Sequence, residues 1–91
     1  MVILIRYHGI FAQVAACRDE RLALADGATT LDVLRLVGRR HPPLAEALFL
    51  ANGQPAPYAR LLMNGALIAD LGGPLQEGDE LALLPTLSGG R

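Results

Sequence analysis

Lysine is absent from the chain, and all eight basic residues are arginine. No copy of it can therefore offer a lysine side chain to another, which excludes lysine-linked self-polymers. A GC-rich coding bias explains the arginine-only usage better than selection does. Tryptophan is also missing, and only Tyr7, Phe11, Phe49 and Tyr58 are aromatic. Eight basic residues face nine acidic ones, for a net charge of −1. Neither the charge nor the aromatics make a nucleic-acid surface. The single cysteine, Cys17, permits no internal disulfide and leaves a cysteine-based metal cluster or a ferredoxin cluster short of ligands. No apolar run approaches the ~20 residues of a membrane helix. Val2–Ile5 runs into Arg6 too soon for a signal peptide. The expected location is cytoplasmic, with no membrane or nucleic-acid partner.

What is present is enough for one domain. The chain has 91 residues, 52% hydrophobic and 19% charged, which opposes disorder. Residues 2–8 (VILIRYH) read as a strand with Ile3, Ile5 and Tyr7 facing the core and Arg6 and His8 facing away. Residues 10–17 fit either a loop or a short helical turn. Residues 20–25 suit a second strand, antiparallel to the first, with Leu22 and Leu24 in phase. Thr29 or Thr30 caps a helix carrying Leu31, Val33, Leu34, Leu36 and Val37 as an apolar stripe. Asp32 complements its dipole at the start, Arg39, Arg40 and His41 at the end, and Pro42-Pro43 stops it. Residues 44–51 read as a short second helix. Asn64-Gly65 marks a tight hairpin between strands at 60–63 and 66–69. Residues 80–84 form a last strand, closed by Pro85.

Strand, strand, helix and then strands describe an α+β domain. The first and last strands pair in parallel at the centre of a mixed sheet, and the helix crosses one face, as in a β-grasp. Residues 1–85 are the expected domain and 86–91 a flexible tail.

Ordinary catalytic groups do not assemble in the sequence. His8 and His41 sit in different elements, and neither has a Cys, Asp or Glu at metal-ligand spacing, so no metal site is expected. Ser88 lacks the context of a nucleophile elbow. Cys17 without a placed base reads as a small buried hydrophobe. Gly72-Gly73 precedes a proline and not a helix, so it is no phosphate loop. The acids around Gly78 read as a solvated turn, and Arg39-Arg40 as a helix-terminal charge.

The exception is the tail, Leu84-Pro85-Thr86-Leu87-Ser88-Gly89-Gly90. Paired glycines there have no packing purpose. Without Cβ atoms, such a segment can thread a narrow channel. Residues 86–90 extended reach on the order of 17 Å. That would carry a carboxylate from the body into another protein's active site.

On these residues the chain resembles the MoaD/ThiS group of ubiquitin-like sulfur carriers. The similarity is densest at 74–90, PLQEGDELALLPTLSGG, where the Gly-Gly stands in register with GDELALLP. Phe11-Ala12-Gln13-Val14, the helix from Thr30 to Arg40 and Met63-Asn64-Gly65 extend it over nearly the whole chain. The resemblance implies a β-grasp fold and a co-substrate rather than an enzyme acting alone. It binds no cofactor, and the ATP is used by an activating partner of the MoeB/ThiF (E1-like) type. That partner would adenylate the Gly90 carboxylate, and a sulfur donor would convert it to a thiocarboxylate. In the MoaD branch the acceptor is the molybdopterin precursor on a MoaE-like large synthase subunit. Gly89, Ser88, Leu87 and Thr86 would thread the channel. Strand alternation leaves either Leu81 and Leu83 or Ala82 and Leu84 inward. With Leu81 and Leu83 inward, Leu84 and Pro85, joined by Leu87 and Phe11, would form a partner-binding patch.

Two features depart from the family pattern. Arg91 follows Gly90, so a processing protease, of the metal-dependent deubiquitinase type, is expected to remove it. Residues 51–60 add a loop closer to the longer MoaD-like branch than to ThiS. Rival readings are a protein modifier on the same scaffold, a carrier for cysteine, thiamine or tRNA thiolation, and a non-activated β-grasp interaction domain.

Overall fold

A computed structural model of the chain describes residues 1–56 and 59–86. The expected tail, apart from Thr86, and Tyr58 in the 51–60 loop lie outside the described residues. The elements run β1 (Val2–Tyr7), α1 (Ile10–Ala15), β2 (Asp19–Ala23), α2 (Thr30–Arg40), α3 (Pro42–Leu48), β3 (Ala59–Met63), β4 (Ala66–Ile68) and β5 (Glu80–Pro85).

The five strands form one mixed sheet in the order β2-β1-β5-β3-β4. β1 pairs antiparallel with β2 and parallel with β5, so the first and last strands lie together inside the sheet, as the sequence predicts. β3 runs antiparallel to both β5 and β4. One face is closed by a core of Ile3, Ile5, Tyr7, Leu22, Leu61, Leu81 and Leu83 from the strands. Phe11 and Ala15 of α1, Val33, Leu34 and Val37 of α2, and Leu44 and Leu48 of α3 complete it. The alternation in β1 is the expected one, with Ile3, Ile5 and Tyr7 at 3% exposure or less.

α2 begins where its capping residues dictate. Asp32 N–H donates to Thr29 Oγ1 at 3.3 Å, and Thr29 N–H donates to Asp32 Oδ2 at 2.9 Å. This reciprocal box satisfies two otherwise orphaned donors. The backbone bond from Thr29, then the hydroxyl, hold the Asp32 carboxyl below its ordinary range.

Local chemistry resolves the ambiguous stretches. Residues 10–15 are helical, and the helix ends at Ala16 in the left-handed region, at φ 61°. Pro42-Pro43 ends α2 but also opens α3, which therefore starts two residues earlier than expected and stops at Leu48. Proline fits a first helical turn because its missing N–H has no intrahelical partner there. Gly38, buried in α2, lets α3 approach: a Cβ there would lie 3.3 Å from that of Ala45. The hairpin turn carries positive φ at both central residues, 52° at Asn64 and 88° at Gly65, as a type I′ turn requires. Among the described residues no helix is long and apolar enough to cross a membrane.

Candidate functional site

The base of the tail is fixed by three segments. β5 delivers Leu84 and Pro85, with Pro85 opposite Ala59 of β3. His8 N–H donates to the Leu83 carbonyl at 3.0 Å, continuing the β1–β5 pairing past the end of β1. Gly9, at φ 58°, turns the chain into α1 directly over Pro85. A Cβ on Gly9 would sit 3.2 Å from Pro85 Cγ. Thr86 is half-buried and held by an interaction of its own. The tail residues Leu87, Ser88, Gly89 and Gly90, and Arg91 after them, lie outside the described residues.

Leu81 and Leu83 have no exposure, so they occupy the core face of β5. Leu84 lies on the other face and is half-buried. Register extends this face outward from it. Arg60 lies opposite Leu84, Leu62 opposite Ala82, and Leu67 opposite Leu62. Arg6, across from Ala82 on β1, pairs with Glu80 at 3.0 Å. The result is an apolar strip in which Leu84, Leu62 and Leu67 flank the buried Ala82, leading away from the tail and bordered by Arg6 and Arg60. Leu67 is the most open large apolar side chain in it, at 63% exposure.

Phe11 does not join this patch. It is 3% exposed, because α1 turns Phe11 and Ala15, one helical turn apart, toward the core. Ile10 and Val14 take the exposed positions. Leu62 and Leu67 escaped the sequence reading, although the signal was there. A two-residue turn at Asn64-Gly65 forces Met63 opposite Ala66 and therefore Leu62 opposite Leu67.

A second polar cluster lies beyond β1, where β2 meets the α2–α3 junction. Glu20 Oε1 accepts from the buried Tyr7 hydroxyl at 2.7 Å and lies 2.6 Å from His41 Nε2. Arg40 Nη2 donates to Oε2 at 3.2 Å. Burial pushes the Glu20 carboxyl up, but the hydrogen bonds from Tyr7 and His41 and the charges of His41 and Arg40 outweigh it. The group rests below the ordinary carboxylate range. Burial, then the Glu20 bond and charge, push the Tyr7 phenol well above its ordinary value. The His41 ring meets the Tyr7 ring edge-on, with centroids 5.6 Å apart.

Cys17 closes the cluster. It is half-buried at the margin of the core, not inside it as expected. Burial and the Glu20 and Asp19 carboxylates push its thiol up, so this environment does not favour a free thiolate nucleophile. Cys17 and Glu20 are three residues apart, but His41 is about twenty residues on, and only the fold brings it to them.

The parallel pairing of β1 with β5 inside a mixed sheet and the helix across one face define a ubiquitin-like β-grasp fold. The family model described as "ThiS family" matches residues 5–90, and the chain belongs to that family. It is 38% identical over 79 residues to small archaeal modifier protein 1 of Haloferax volcanii, covering 87% of this chain and 90% of the relative. The crystal structure of SAMP1 from Haloferax volcanii superposes with a TM-score of 0.89 at 32% identity, over 97% of this chain and 98% of that one. The putative molybdopterin converting factor subunit 1 from Pyrococcus furiosus shares the fold. Its TM-score is 0.81 at 21% identity, over 96% of this chain and 99% of that one.

Proposed function

We propose that this chain is a sulfur carrier whose Gly90 carboxylate, once Arg91 is removed, is adenylated and then thiocarboxylated. One observation carries the reading: the family match extends through Gly90, the second glycine of the tail, five residues on in sequence from the end of β5. The carboxylate oxygen attacks the α-phosphate of ATP on the activating enzyme and expels pyrophosphate. A sulfur nucleophile then attacks the acyl carbon, AMP leaves, and the thiocarboxylate remains. The chain supplies no side chain to either step. Its part is recognition, through the strip of Leu84, Leu62 and Leu67 beside the tail base, and delivery, through residues narrow enough to thread a channel. The molybdopterin precursor on a MoaE-like subunit is the proposed acceptor.

Removal of Arg91 is a steric and chemical requirement of this scheme. Only a carboxylate on Gly90 places the reacting carbon where glycine alone fits. The test compares the 91-residue chain with one ending at Gly90. Each is incubated with the cognate activating enzyme, ATP and sulfide and weighed intact. The expected result is one oxygen-to-sulfur exchange on the shorter chain alone. Equal thiocarboxylation of both chains would refute the processing step, and none on either would refute the carrier reading.

A second reading, attachment to lysines of other proteins, is supported by the 38% identical relative that is named a modifier. It shares the adenylation step and differs in the nucleophile that displaces AMP. Conjugates on other proteins, absent when Gly90 is deleted, would identify it.

A further inference from the structure

Cys17, Glu20 and His41 come from the segment before β2, from β2 itself and from the α2–α3 junction. One donor atom of each lies within 4.8 Å of the other two. All three residues are half-buried. A thiol, a carboxylate and an imidazole form a mixed sulfur, oxygen and nitrogen set of the kind that zinc accepts in tetrahedral geometry. We propose that these three side chains bind one divalent zinc ion, with solvent as the fourth ligand.

The neighbours are already placed for this. Glu20 divides its work between its two oxygens: Oε1 faces Tyr7 and His41, and Oε2 faces Arg40. The metal takes Oε1. Arg40 stays on Oε2, and the Tyr7 hydroxyl continues to donate to Oε1, so both act as outer-shell partners that orient the carboxylate. The single bond given up is that between His41 Nε2 and Glu20 Oε1. Those atoms are 2.6 Å apart and must separate to about 3.4 Å if each is to sit ~2.1 Å from a tetrahedral metal. The Tyr7 ring, edge-on to the imidazole, limits how far the ring can turn. Cys17 loses its thiol proton to solvent and His41 contributes the Nε2 lone pair, so no redox partner is required.

Access is open on the side of Cys17. A surface recess runs there from Cys17, Arg18 and Asp19 past Tyr7 to His8 and Gly9, with Cys17 as the one proposed ligand in its lining. It supplies the route for the ion and room for the fourth ligand. The three ligands lie on the far side of β1 from β5, and the proposal does not depend on the carrier reading, although the recess beside Cys17 reaches His8 and Gly9 at the base of the tail.

The test uses the full chain in reducing buffer with cobalt(II) as the probe. A thiolate-to-cobalt charge-transfer band should grow to one equivalent and be bleached by zinc(II). Cys17→Ser should abolish the band. Glu20→Gln and His41→Gln should each weaken cobalt binding by about tenfold or more. No band in the wild-type chain, or a band of unchanged affinity in both Gln variants, would overturn the proposal. A second measurement needs no variant. Zinc(II) should slow iodoacetamide alkylation of Cys17, the single thiol, as read by intact mass. An unchanged rate would also overturn it.

Discussion

Glu20→Ala should cost more than the bonds it visibly removes, and Tyr7→Phe should reveal why. The Tyr7 side chain is almost wholly buried, and its hydroxyl donates to Glu20 Oε1 at 2.7 Å. Tyr7→Phe deletes the donor and leaves a phenyl ring that asks for nothing. Its cost is that of one hydrogen bond to a charged group, about 1.5–3 kcal/mol. Glu20→Ala deletes the same bond and strands the buried hydroxyl without an acceptor, adding about 1–3 kcal/mol of desolvation penalty. It also releases His41 and Arg40. In the double variant the shared bond is lost once rather than twice and the stranded donor no longer exists, so its cost should fall short of the sum of the singles by about 2.5 kcal/mol or more. Urea unfolding followed by far-ultraviolet circular dichroism suits a chain without tryptophan. Additivity within about 0.5 kcal/mol would refute the reasoning.

The same pair sets the limits of pH stability. The folded Glu20 carboxyl lies below its ordinary value. In the window between the two, the unfolded chain binds the proton and the folded chain does not, so stability rises with pH. That contribution is complete above about pH 4.3 and is lost as pH falls through the folded value. Tyr7 works in the opposite direction. Its folded phenol is raised, so its contribution is complete below about pH 10 and declines as pH climbs beyond that. Glu20→Gln should flatten the acid limb of the urea midpoint against pH. An unchanged acid limb would assign it to other carboxylates.

Two further outcomes address the tail base and the strip beside it. Gly9→Ala should cost about 1–3 kcal/mol, because φ 58° with ψ −134° is close to glycine-only space. The new methyl would also press on Pro85, so thermal unfolding should drop by about 4–8 °C per kcal/mol, and a melting temperature within 2–3 °C of wild type would be inconsistent with that backbone. Leu67→Asp, at the open end of the strip, should leave the urea midpoint within about 0.5 kcal/mol of wild type. It should nevertheless slow adenylation by the activating enzyme about tenfold, and an unchanged rate would remove the strip from the docking surface.

The sequence by itself determined the parts set by local chemistry. Alternation in residues 2–8 put Ile3, Ile5 and Tyr7 inward. The Thr29 and Asp32 side chains fixed the start of α2. Asn64-Gly65 fixed a turn that needs two positive φ values, and with it the register of β3 on β4. The Gly-Gly tail in register with GDELALLP was enough to indicate the family. Tertiary structure decided what depends on partners distant in the chain. α1 could have been a loop until packing chose Phe11 and Ala15 for the core and left Ile10 and Val14 outside, which removed Phe11 from the patch. Pro42-Pro43 reads as a stop in one dimension, yet in the fold it also begins α3. His41 had no ligand or base near it in sequence. Cys17, Glu20 and His41 meet only because β2 pairs with β1 and the α2–α3 junction folds back over that edge. Local propensity cannot encode that meeting, because it is created by strand pairing and core burial between segments about twenty residues apart.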